Sequence, residues 1–122
     1  MTLTELQKQY SYNMESDCRE TQEFREFFEE LKKSLKNACK YHGVKLLRLE
    51  KSHFGAFGFF KNQNDRIVYF SIGDTRGFCD IWWKRVLYRT AKDINDYTGD
   101  YNQFCELKDL VKSVKTIKQK TV

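Results

Sequence analysis

At 122 residues, with 40% hydrophobic and 16% aromatic side chains, the chain is long enough for one hydrophobic core and too aromatic to stay disordered. Charged residues make up 32% and the net charge is +5, while the apolar runs, such as 57–60, are far too short to span a bilayer. These values exclude a second domain of ordinary size and a helical membrane anchor.

The surplus of positive charge is concentrated in 108–122, where Lys108, Lys112, Lys115, Lys118 and Lys120 face only Asp109. That is a mild asymmetry, less than a strong nucleic-acid binder usually carries. The first residues contain no apolar signal region, so the expected location is the cytoplasm. Cys18, Cys39, Cys79 and Cys105 are then expected as free thiols in a reducing compartment.

In chain order, residues 1–20 show no clear period and read as a loosely docked lead-in to a single domain spanning 1–122. From Thr21 onward Phe24, Phe27, Phe28, Leu31, Leu35, Ala38 and His42 recur at helical spacing. Glu26 and Glu30 precede Lys33, Lys36 and Lys40 on the opposite face, an order that suits the helix dipole, and Gly43 is the expected left-handed cap. Three β-rich runs follow: Val44 to Lys51, Phe54 to Lys61 and Arg66 to Ile72. Their short, turn-like separators predict an antiparallel meander with Ile67–Ile72 central. Gly55 and Gly58 suggest a bulge or close packing in the second strand.

After the turn Gly73 to Gly77, Asp80 is expected to cap a helix running to Ala91, with Trp82, Trp83, Val86, Leu87 and Ala91 facing inward. Residues 92–103 read as a polar loop. A last helix carries Leu107, Leu110, Val111, Val114 and Ile117 on one face, with Thr121 and Val122 frayed. The predicted fold is α+β, with a long N-terminal helix, a three-stranded antiparallel sheet and two C-terminal helices packed on one face.

No catalytic constellation is legible. The Gly73–Gly77 turn lacks the spacing and lysine of a phosphate-cradling loop, and Cys39 with His42 lacks an orienting partner and an oxyanion site. The chain is therefore expected not to be an enzyme and to require no cofactor. A structural zinc is one reading of Cys39 and His42, three residues apart, with the remaining ligands drawn from His53, Cys79 and Cys105. In the other, Cys39 packs as a small apolar residue and His42 caps its helix.

Two candidate partner-binding surfaces stand out. Arg76, Lys84, Arg85, Arg89 and Lys92 lie near Trp83, Tyr88 and Tyr97, the composition of an interface hot spot or of a surface that tracks nucleic acid. The alternative puts both tryptophans in the core and pairs Arg89 with Asp74 or Asp93. The second surface is the lysine face Lys108, Lys112 and Lys115, which a solvated helix face also explains.

The segment from Tyr69 to Cys105 has a distinctive texture: Tyr69-Phe-Ser-Ile-Gly-Asp74-Thr-Arg76, then Trp82-Trp83, then Val86-Leu87-Tyr88-Arg89-Thr90-Ala91-Lys92, then Asp96-Tyr97-Thr98-Gly99-Asp100-Tyr101-Asn102. It covers about a third of the chain and resembles a block in small accessory proteins of phages, plasmids and conjugative elements of Gram-positive bacteria, among them anti-CRISPR proteins that inhibit type II-A Cas9. The resemblance implies a cytoplasmic protein of a bacterial host that binds Cas9 or its guide-RNA complex and hinders target-DNA loading or activation. The competing expectation is a basic, antirestriction-like accessory protein that binds nucleic acid.

Overall fold

In a computed structural model, which describes residues 1–14, 21–76 and 81–122, the first element is one that the sequence pattern conceals. Helix α1, Leu3–Gln9, opens with a capping box: Glu5 N–H donates to Thr2 Oγ1, and Thr2 N–H donates to Glu5 Oε1, both at 3.1 Å. Leu3 and Leu6 are buried, as are Tyr10 and Met14 beyond the helix. The segment behind it is fastened by indoles, since Trp82 Nε1 donates to Tyr10 O at 2.9 Å and Trp83 Nε1 to Ser11 O at 2.9 Å. Residues 2–14 are thus docked rather than loose; the rest of the expected lead-in, 15–20, lies outside the described residues.

Helix α2, Gln22–His42, has the span expected from Thr21, but it is the second helix of the chain, so the expected long N-terminal helix is preceded by the short α1. Thr21 Oγ1 accepts from Phe24 N–H, and Gly43 closes the helix at φ 67°. Phe24, Phe27, Phe28, Leu31 and Leu35 are buried. The strands are β1 (Lys45–Lys51), β2 (Ala56–Lys61), β3 (Ile67–Ile72), β4 (Val86–Ala91) and β5 (Gln103–Cys105). They form one antiparallel sheet in the order β1-β2-β3-β4-β5, so β3 is central as expected.

The sheet therefore has five strands, and the expected helix ending at Ala91 is instead β4. Trp82, Trp83, Val86 and Leu87 have spacings that imitate a helix face. From Val86, however, inward Val86, Tyr88 and Thr90 alternate with outward Leu87 and Arg89, and this run satisfies the open backbone edge of β3. The expected cap Asp80 lies outside the described residues. The last helix is also shorter than expected: a 3₁₀ turn, Leu107–Asp109, leads into α3, Leu110–Val114.

Helices α1, α2 and α3 share one face of the sheet in a single hydrophobic core that reaches from Leu6 through Phe27 and Phe60 to Val114. Asn62, in the β2–β3 turn, fixes the far end of α3 by donating to Val114 O and Ile117 O at 2.8 and 2.9 Å. The C-terminal segment is fastened as well, and Thr121 is not frayed. Its N–H donates to Thr90 Oγ1 at 3.0 Å, and Thr90 N–H donates to Thr121 Oγ1.

Candidate binding surface

The strand registers decide which side chains reach the face of the sheet away from the helices. One row across that face is Arg48, Phe59, Tyr69 and Arg89, and the next begins with Glu50, Phe57, Ser71 and Leu87 and ends at Phe104. A bulge between Leu46 and Arg48 sets the phase of β1, turning Leu46 and Leu49 toward the core and Arg48 outward. Gly58 lies where a Cβ would meet Arg48 O at 2.0 Å and Phe70 Cζ at 2.9 Å, so the close approach of β1 and β2 depends on that glycine.

The polar loop 92–102 folds back over this face. Asp96 organises it, accepting from Lys92 N–H at 3.0 Å, Gly99 N–H at 2.8 Å and Thr98 N–H at 3.2 Å. Those backbone donors, Lys92 first, hold its carboxyl down at about 2. Tyr97 is delivered onto the sheet, with its ring 6.0 Å from Phe57, 5.9 Å from Phe59 and 6.2 Å from Tyr69, all edge-on. Phe59 is completely buried as a result, in a small aromatic cluster separate from the helix-side core.

Two arginines bracket the cluster. Arg48 donates to Ile94 O at 3.1 Å and to the Tyr97 hydroxyl, pairs with Glu50, and lies 5.7 Å from the Phe57 ring centre. Arg89 sits 4.6 Å over the Tyr69 ring and donates to Asn102 Oδ1 at 2.8 Å and to Tyr97 O. The pairing of Arg89 with Asp74 or Asp93 is thus replaced by contacts to the loop. Tyr97 keeps 45% of its surface, Ile94 (40%) is exposed in the same loop, and Phe104 (44%) is exposed on β5. Arg85 lies 4.2 Å over Phe104 at the edge of the sheet.

Of the residues expected to bind a partner, Arg89, Tyr97 and Arg85 reach this face. Tyr88 turns to the opposite side and packs on the helix-side core. Arg76, beyond the end of β3, is held bidentate by Asp74 and stacked 3.5 Å from the Phe54 ring. Lys84 is exposed in the turn before β4, and Lys92 lies at the opposite end of that strand. Lys108, Lys112 and Lys115 belong to the helical layer. Trp82 is core, whereas Trp83 is half-buried. Sequence reasoning missed Arg48, Phe57, Phe59 and Tyr69, whose only signal was alternation within runs read as uniformly apolar.

Among the described residues, the proposed zinc ligands His42 and His53 are not brought together. His42 precedes β1 and His53 follows it, which separates them by about 20 Å at roughly 3.3 Å per strand residue. Cys79 lies outside the described residues. Cys39 is buried, and burial pushes its thiol up to about 12, away from the thiolate that a metal needs. Among the described residues no group of three or more His, Cys, Asp or Glu side chains is placed to hold a metal. No described helix is long and apolar enough to cross a membrane.

The chain matches no family model, no curated protein and no solved structure, so its function is read from its own geometry.

Proposed function

We propose that the chain is a non-catalytic binding module that docks another protein through the outer face of its sheet. The observation that carries this reading is the bracketed aromatic cluster under Tyr97. Arginine and tyrosine held rigidly by their neighbours, with apolar side chains exposed around them, is the composition of an interface hot spot whose ordering cost has been met before binding. Arg48 and Arg89 are fixed by the loop, and Tyr97, Ile94 and Phe104 offer the contact area.

The partner we propose is a type II-A Cas9 or its guide-RNA complex, whose target loading or activation is hindered by stoichiometric binding. This finer reading is supported by the resemblance of Tyr69–Cys105, because that block supplies Tyr69, Arg89, Tyr97 and Phe104 to the face. A basic chain is a poor mimic of DNA, so docking on an acidic or apolar protein face is the expected mode. Stacking of bases on Phe59 and Tyr69 is disfavoured, since Tyr97 and Arg89 already cover those rings.

The test is target-DNA cleavage by guide-loaded type II-A Cas9 with a molar excess of the chain, beside an Arg85→Glu/Phe104→Ala variant. Both positions are exposed, so that variant is expected to fold normally and to inhibit about tenfold or more weakly. Undiminished cleavage across several Cas9 orthologues would sink the Cas9 reading. Binding to DNA that falls steeply with salt would put a nucleic-acid accessory protein in its place.

A further inference from the structure

On the helical side, away from the outer sheet face, α1, α2 and α3 enclose a cleft of about 410 Å³, within the range of small-molecule sites. Its floor is apolar: Leu3 and Val111 are buried there, and Ala38 lies between them. Ser34 breaks this lining. It is fully buried in the middle of α2, and its hydroxyl finds no hydrogen-bond partner.

The mouth is basic. Lys108 and Lys112 line it, one helical turn apart, with His42 alongside. Lys108 is shared with Glu106 at 3.5 Å, whereas no carboxylate lies within ion-pair distance of Lys112 among the described residues. Lys115 stands 3.4 Å from His42 Nδ1. His42 is held below its usual pKa, first by burial and then by Lys115 and Lys112, as a positive field at the mouth requires.

The walls are preformed. Gln7 on α1 accepts from Lys108 N–H at 2.9 Å and donates to Glu106 at 3.2 Å, fixing α1 against the 3₁₀ turn. Glu5, the acidic residue of α1, is committed to the Thr2 capping box. An apolar floor and an unopposed cation at the entrance together select a ligand with an apolar body and an acidic head.

We propose that the cleft between α1, α2 and α3 binds a small amphipathic organic anion, its apolar body on Leu3, Ala38 and Val111 and its acidic group at Lys112 and Lys108. This site is separate from the outer sheet face and does not depend on the identity of the partner docked there.

The test uses the full chain and two fluorescent probes of similar shape: the anionic anilinonaphthalene sulfonate and the neutral N-phenyl-1-naphthylamine. The expected result is one saturable sulfonate site per chain. Lys112→Glu should weaken sulfonate binding about tenfold while leaving the neutral probe within about twofold. Ala38→Phe, which fills the floor, should displace both probes. Arg85→Glu/Phe104→Ala, on the other face, should change neither. Cooperative melting of each variant separates lost binding from lost fold. No saturable binding, or a sulfonate affinity indifferent to both Lys112→Glu and Ala38→Phe, overturns the proposal. Loss of binding in the outer-face variant alone also overturns it, by moving the probe to the sheet.

Discussion

Replacing Gly99 by alanine sets a single methyl group against the anchor of the outer face. Gly99 has φ 38°, and a Cβ built there would lie 2.7 Å from Arg89 Nε, 2.8 Å from Arg89 Cδ and 2.9 Å from Thr90 O. The left-handed backbone costs an alanine about 1–2 kcal/mol. Relieving the contact means moving either the stem of Arg89 or the β4 backbone, and overpacking of this kind costs about 1–3 kcal/mol. Moving Arg89 also weakens its contact with Tyr69 and its hydrogen bonds to Asn102 and Tyr97. A total near 3 kcal/mol corresponds to a fall in Tm of about 8–15 °C for a chain of this size. Calorimetry measures that loss, and hydrogen exchange at the Lys92, Thr98 and Gly99 amides, the donors to Asp96, shows whether the loop opens first. Gly99→Asn separates the two causes: asparagine tolerates the left-handed backbone but carries the same Cβ, so it is expected to recover at most the backbone share, about 1–2 kcal/mol, and to remain below the parent. A Tm within about 1 °C of the parent, with the loop amides still protected, would refute the close packing of loop on sheet on which the binding surface rests.

The loop should also have an acid limit. Asp96 is held at about 2 in the folded chain against an ordinary value near 3.8, so its contribution is complete above pH about 4 and is lost as pH falls toward 2. Amide exchange at Lys92 and Gly99 should accelerate across that window and not above it, and Asp96→Asn should remove the pH dependence; faster exchange with rising pH above 5, beyond the intrinsic base-catalysed rate, would contradict the assignment. Leu6→Ala should destabilise by about 2–5 kcal/mol, because Leu6 is fully buried between α1 and the core. Chemical denaturation measures this, and a loss under about 0.5 kcal/mol, the ordinary value for a surface site, would mean that α1 is not part of the cooperative core.

Helix α2 was legible because several independent signals agreed: a long apolar period, acidic-to-basic order and a terminal glycine. Strands β1 to β3 were legible from β-rich runs and short turns. Helix α1 was not, because Leu3 and Leu6 are only two apolar points and a period needs more. Strand β4 was misread because Trp82, Trp83, Val86 and Leu87 satisfy a helical spacing locally, while the run from Val86 is decided by pairing with β3, which a local period does not register. The site was half legible for a related reason. Composition picked out Arg89 and Tyr97, but which face a strand residue takes depends on register, and the bulge at Leu46/Arg48 breaks the two-residue rule within β1. Arg48 therefore points away from Leu46 although they are two residues apart.

That same bulge shows why the polar loop matters more than its composition suggests. An antiparallel sheet with helices on one side usually leaves the other side wet, and alternating polar residues are then the expected pattern. Here the outward positions of β2 and β3 hold Phe57, Phe59 and Tyr69, too apolar to be left in water. Loop 92–102 resolves the mismatch by laying Tyr97 over them and by using Arg48 and Arg89 as clamps, so that Phe59 is as fully buried as Phe60 on the core side. A partner arriving at this face therefore meets Ile94 and Tyr97 of the loop over β2 and β3, and Phe104 on the edge strand. The strands fix where those loop side chains stand, and the loop determines what they touch. Substitutions confined to the exposed loop positions thus change the contact surface while the helix-side core, built from other residues, keeps the fold.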